Sequence, residues 1–384
     1  MFAENFIMMK NSYSIAALLS LVVLLSVSCS KDGTEMTDGV GQDDAPVIRL
    51  ITSEYNGKAV YDCPITIKGS NFSSEPGGNV VVFGTEKVTS LIESTNDRIV
   101  VTAPFVDGYS VKVKVISDGV ESNVYSLKYD EAKCDSVLIF RNATVTELRK
   151  GVVWTSTLTS WEGQPRSLNV VSIAPSETNV LGIACPSGYV ATSKQGKSAG
   201  ALVAINASYF GGTKHDGYVK IGGTVKKTGV SKADGCSAYF ANGAFTLNGN
   251  TPAIVSVVGN EGAAKLSEPD VLCCGPLLVN AGSVLTMASG DHNTLTHPRT
   301  AIGITEDKRV LFVTVDGRFS DAVGMSTQLL ASYMEILGAE YALNLDGGGA
   351  TTMWIDGHGV VNHTCNGGWD DRTERNVGTI IYLK

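Results

Sequence analysis

Four short segments place a charged or amide side chain where an apolar run stops. They are ALVAINASYF with Asn206, HPRTAIGIT with Arg299, LFVTVDGRF with Asp316 and Arg318, and LNLDGGGAT with Asp346. Arginine's planar fork can pair with two oxygens of an oxyanion at once, and a carboxylate can act as base or nucleophile. Asp346 is the first candidate for that role and Asp316 the second. Taken singly, each residue has a plainer use: Asp316-Gly317 as a hairpin turn, Asp346 as a cap on loop amides, Asn206 as a partner for backbone groups. What sets Asp346 apart is the run that follows it, Gly347, Gly348 and Gly349. Consecutive glycines are entropically costly to order, so they imply a loop that needs positive φ or close approach to another group. Such a loop leaves backbone N–H groups open to a phosphate or a sugar.

Side chains that do chemistry need rigid supports. In GMSTQLLASYMEILGAE, Leu329, Leu330, Tyr333, Met334 and Leu337 recur at helical spacing; Ser326 or Thr327 can cap the helix and Gly338 can end it. The helix leads into a short strand over residues 341–345, the glycine loop, and a second strand over 351–355, which puts Asp346 at a strand end. Upstream, from Pro46 to about Tyr129, short alternating runs such as PITIKGSNF, NVVVFG and YSVKVKVISDG are punctuated by turn residues. That is the pattern of a small β-sandwich. The expected organisation is an all-β immunoglobulin-like sandwich over 46–130 and an α+β domain, β-rich with few helices, over 137–384. The 42 glycines and 18% charged residues agree with a turn-rich β architecture.

Together the segments resemble the phosphodiester glycosidase family. Asn206-Ala207-Ser208-Tyr209-Phe210 is similar to its Asn-Gly-Gly-aromatic-Phe segment, Arg299-Thr300-Ala301-Ile302-Gly303 to its arginine strand, and Asp316-Gly317-Arg318 to its Asp-Gly-Arg turn. Leu345-Asp346-Gly347-Gly348-Gly349 and Arg375-Asn376-Val377 complete the series. Ala207 stands where the family has glycine and Ala350 where it commonly has serine, with Thr351 and Thr352 as replacement donors. The resemblance implies cleavage of a sugar-1-phosphodiester. Asp346 and Asp316 would be the reacting acids, and Asn206, Arg299, Arg318, the three glycines, Thr351 and Arg375 would bind substrate; no cofactor or metal is implied. In the first domain Gly69-Ser70-Asn71-Phe72, Val82-Phe83-Gly84, Ala103-Pro104 and Ser122-Asn123 resemble landmarks of the IPT/TIG immunoglobulin-like domain, which implies a spacer. His215 and His297 lie near the motif segments but are expected to be structural, and Trp354 and Trp369 are accessory.

A formal charge of −8 with no Lys/Arg block excludes a nucleic-acid footprint. Lys10 precedes SIAALLSLVVLLSVSC, too short to span a bilayer and ending in small residues before Cys29. Residues 1–29 therefore read as a lipoprotein signal with Cys29 as the lipidated residue, and 30–45 as a polar flexible tether. The expected location is extracytoplasmic, on the envelope. Beyond Cys29 the cysteines are Cys63, Cys134, Cys185, Cys236, Cys273, Cys274 and Cys365, an odd set without zinc-site spacing. The rival reading is a glycan-binding surface lipoprotein without turnover, favoured by Ala207 and Ala350. A protein-contact role for the sandwich alone would leave the arginine and aspartate segments unexplained.

Overall fold

The computed structural model describes residues 45–211, 214–229, 241–366 and 368–384. The expected signal, Cys29, nearly all of the tether, and Cys236 lie outside them. Contacts divide the chain into two units, one running to Val137 and the other spanning Leu138–Lys384.

The first unit forms two antiparallel sheets. One orders Val47–Thr52, Pro64–Ser70, Arg98–Thr102 and Leu91–Ser94; the other orders Glu86–Val88, Asn79–Phe83, Ser110–Ser117 and Val120–Glu121, with Tyr125–Lys128 also paired to Ser110–Ser117. Alternate side chains point inward with period two. Ile65, Ile67, Ile99 and Val101 from one sheet, and Val81, Phe83, Val113 and Val115 from the other, are all buried. This is the expected sandwich.

In the second unit the strands that carry or adjoin the motif segments are β1 (Gln164–Ile173), β2 (Val203–Asn206), β3 (Arg299–Thr305), β4 (Val310–Val315), β5 (Ala339–Asn344) and β6 (Met353–Ile355), and the helix Thr327–Ile336 is α1. β1, β4, β3 and β5 are successive neighbours within an eight-stranded antiparallel sheet, while β2 and β6 pair in a five-stranded one. Every residue of β3 and β4 is buried because the larger sheet is covered on both faces. On one face Ile302, Ile304, Phe312 and Leu343 pack against Ile205, Met353 and Phe245 of the other sheets. On the opposite face Ala301, Val313 and Val315 pack with Leu330, Tyr333 and Met334 of α1. Double coverage explains why these strands read as near-continuous apolar runs rather than as alternation.

The helix follows its sequence signals. Ser326 Oγ accepts from the Leu329 N–H at 3.1 Å, and Gly338 follows the last turn at φ 81°. Leu330, Tyr333, Met334 and Leu337 are buried as expected, joined by Ile336, while Leu329 is only partly covered. Each fully buried side chain of this kind contributes about 1.5–3 kcal/mol.

Register decides where the motif residues go. Arg299 pairs with Val315, and Ala301 with Asn344, so the start of β3 lies beside the ends of β4 and β5. β2 ends at Asn206, next to the pair Ile205–Met353 that starts β6. The Asn206 side chain ties the two sheets together there: Oδ1 accepts from Thr300 Oγ1 at 2.7 Å and from the Thr352 N–H at 3.0 Å, and Nδ2 donates to the Asp346 carbonyl at 2.6 Å.

Candidate active site

The glycine loop lies at this gathering of strand ends, and two arginines explain its composition. A Cβ at Gly348 would sit 3.1 Å from Arg318 Nη2, and one at Gly349 would sit 2.2 Å from Arg375 Nη2 and 2.7 Å from Asn366 Oδ1. A Cβ at Gly347 would meet the Pro298 carbonyl oxygen at 2.6 Å, and Gly348 adopts φ 60°. The glycines therefore let two guanidinium groups lie directly on the backbone. Arg318 is exposed and takes φ 69°, an unusual conformation for a residue with a Cβ. Arg375 is exposed too, its Nη2 donating to Asn366 Oδ1 at 3.3 Å, and Asn366 Nδ2 donates to the Gly349 carbonyl at 2.7 Å. Among the described residues neither arginine forms an ion pair. Arg318 Nη1 donates only a long contact to Cys365 Sγ, at 3.7 Å. Two exposed forks outside any ion pair, lying over open backbone, suit a phosphate group.

Beside them stand two carboxyl groups. The Asp346 side chain is half-buried at the surface but crowded by protein; desolvation pushes its pKa up to about 8, against the opposing pull of Arg375 and the Gly347 N–H, with the charge of Asp216 adding to the rise. Burial also raises the Asp216 carboxyl. The backbone brings the two acids to one segment: the Asp346 N–H donates to the Ala207 carbonyl at 2.7 Å, and the Asp216 N–H to the Tyr209 carbonyl at 3.0 Å. Asp216 was not among the sequence candidates; its Asp-Gly pair, in GGTKHDGY, reads locally as a turn.

Asp316 and Arg299 occupy positions unlike those expected of reacting or phosphate-binding groups. Asp316 is wholly buried; it accepts from Ser167 Oγ at 2.5 Å, from Asn362 Nδ2 at 3.1 Å and from the His363 N–H at 3.0 Å. Burial raises its pKa and these donors partly offset that. Arg299 is 1% exposed. It gives Nε to the Met325 carbonyl at 2.8 Å and Nη2 to the His292 and Leu295 carbonyls at 2.6 and 3.1 Å. Burial lowers its pKa to about 10. Both side chains brace segments of the site from within, as Asn206 does.

A second polar cluster lies behind the loop. Tyr209 Oη donates to the Gly275 carbonyl at 2.9 Å and lies 3.0 Å from His292 Nε2, and Asn344 Nδ2 donates to Tyr209 Oη at 2.6 Å. Burial lowers the His292 pKa to about 4, with Arg299 reinforcing it, so this ring is neutral. His292 sits in GDHNT, away from any strand-end pattern, and nothing in the sequence singled it out. His215 is likewise driven down to about 4 by burial and stacks on Tyr189. Burial lowers His297, with Arg299 and Arg318 adding to the shift. Trp354 is buried, and Trp369 stacks on His363 at 3.6 Å. The Thr351 and Thr352 hydroxyls are buried beside the loop without a hydrogen-bond partner among the described residues.

Residues 199–384 match the family described as phosphodiester glycosidase. The C-terminal unit carries a phosphodiester glycosidase domain. Residues 46–130 match the IPT/TIG domain, in agreement with the sandwich. The chain is similar to the catalytic domain of zebrafish N-acetylglucosamine-1-phosphodiester alpha-N-acetylglucosaminidase, auto-inhibited by its pro-peptide, at 16% identity over 63% of this chain and 87% of that one, with a TM-score of 0.48. It is also similar to a hypothetical protein from Synechocystis, at 13% identity over 88% of this chain and 80% of that one, again with a TM-score of 0.48. No curated protein sequence matches it. Within the phosphodiester glycosidase domain both departures from the family pattern fall in apolar surroundings. Ala207 belongs to the main core, and Ala350 packs with Ala201, Ala204 and Trp354.

Proposed function

We propose that the phosphodiester glycosidase domain hydrolyses a sugar-1-phosphodiester. Arg318 and Arg375 hold the phosphate over Gly348 and Gly349. Asp346 carries a proton at neutral pH and passes it to the departing phosphate oxygen as the bond to the anomeric carbon breaks. Asp216 acts as the base, taking a proton from the water that adds to that carbon, so the products are a free sugar and a phosphomonoester. Asp316, Arg299 and Asn206 are positioning residues in this scheme. The observation that carries the reading is the juxtaposition of a carboxyl with a pKa of about 8 and two exposed arginine forks, outside any ion pair among the described residues, on one open backbone loop. The expected location outside the cytoplasm, held by lipid on Cys29, belongs to the same proposal and is supported by the sequence of residues 1–45.

The test is release of free sugar from a panel of UDP-sugars and synthetic sugar-1-phosphodiesters, with Asp346→Asn alongside. Turnover of at least one substrate, reduced about 10²–10⁴-fold in the variant, is expected. An inert wild-type protein that still binds those substrates would establish the binding-only rival.

A further inference from the structure

The Leu138–Lys384 unit has a second concavity, of about 640 Å³, within the roughly 300–1,000 Å³ usual for ligand sites. Its floor is formed by neighbouring strands, with Ser156 paired directly to Asn169. Trp154 is fixed there as a platform. Its Nε1–H donates to Asn169 Oδ1 at 3.1 Å, and the His358 ring meets it edge-on at 5.4 Å. One part of the indole packs on the core and the rest stays accessible beside Leu158, which is 62% exposed.

The lining contains no Asp, Glu or Lys. Its one arginine, Arg372, already gives Nη1 to the Val360 and Asn362 carbonyls at 2.8 and 3.3 Å. Such a surface offers little to an ionic ligand. An accessible indole takes the C–H face of a pyranose, while the amides and hydroxyls of Asn142, Ser156 and Asn169 suit the hydroxyl edge. The groove also shares residues with the support of the candidate active site. Ser167 and His363, which line it, are the residues that hold Asp316, and His363 stacks on Trp369, which meets Phe319 beside Arg318. Trp154, Ser156 and Asn169 precede the segment matched to the family, residues 199–384.

We propose that this groove binds a neutral oligosaccharide, the glycan from which the sugar phosphate is cleaved; only that second clause rests on the hydrolase reading. The experiment is calorimetric titration of the full chain with neutral oligosaccharides of one to six units built from glucose, mannose or N-acetylglucosamine, none carrying phosphate. At least one series should bind with affinity that rises with length. Trp154→Ala should weaken that binding tenfold or more at unchanged melting temperature, Trp154→Phe should recover most of it, and Ser156→Arg, which fills the groove from a half-exposed strand position, should abolish it. Arg318→Ala should leave it intact. If Trp154→Ala fails to fold, Ser156→Arg decides. Absence of binding across the panel, or binding indifferent to both changes, overturns the proposal, whatever the sugar-release assay returns. Loss of turnover with groove binding retained overturns only the hydrolase reading.

Discussion

Asp346 owes its proton to its surroundings, and that has consequences in both stability and rate. A carboxyl raised from 3.8 to about 8 favours the folded state fully below the unfolded pKa. As pH rises from about 4 the unfolded chain ionises while the folded one does not, and this contribution is lost until it levels off above about pH 8. Asp346→Asn has no such titration. Its melting temperature relative to the parent should therefore climb between pH 4 and 8 and then hold steady. The same pKa sets the rate: as a proton donor Asp346 should give turnover that falls as pH passes about 8. Melting curves that run parallel over this range, together with a flat alkaline rate profile, would remove the raised pKa from the account.

The glycine loop separates two kinds of close approach that sequence alone renders as three identical letters. A methyl at Gly347 meets the Pro298 carbonyl at 2.6 Å, and that backbone enters the central strand β3. Neither can give, so Gly347→Ala should destabilise by about 1–3 kcal/mol, the usual cost of overpacking. A methyl at Gly349 meets the tips of Arg375 and Asn366, which can swing aside. Gly349→Ala should therefore melt close to the parent while raising KM about tenfold or more, the loss of a hydrogen bond to a charged group. Thermal melts and steady-state kinetics on the pair check this. Equal effects on both quantities in both variants would mean the arginines are not held by the loop.

At the scale of the whole molecule, the buried residues of the sandwich sheets and those of the Leu138–Lys384 unit form cores of their own. We expect a fragment spanning residues 137–384 to fold alone and to retain the parent's turnover of a small phosphodiester. If Cys29 carries the proposed lipid, the full chain should fractionate with membranes and the fragment should be soluble. A fragment that sediments with membranes would sink the lipid tether. One that is soluble but inactive would show that the sandwich completes the enzyme.

The sequence by itself determined the element types and the neighbourhood of the chemistry. Period-two alternation marked the sandwich, the Ser326 cap and the stripe from Leu330 to Leu337 marked the helix, and the glycine run marked the loop, because each is a local rule about backbone conformation or burial. The residues that gather around the loop were legible as strand ends by the same logic. Their division of labour was not. Arg299 and Arg318 look alike in sequence, yet the first is enclosed by the Met325, His292 and Leu295 carbonyls and the second lies exposed on Gly348. Asp316 and Asp346 each precede glycine at a strand end, and only the structure shows that Asp316 is enclosed by Ser167, Asn362 and His363. Asp216 follows a motif segment but reads locally as a turn, and the Trp154 groove comes from strands outside the motifs. Burial, register and desolvation are set by what packs from elsewhere in the chain, so only the tertiary structure could decide them.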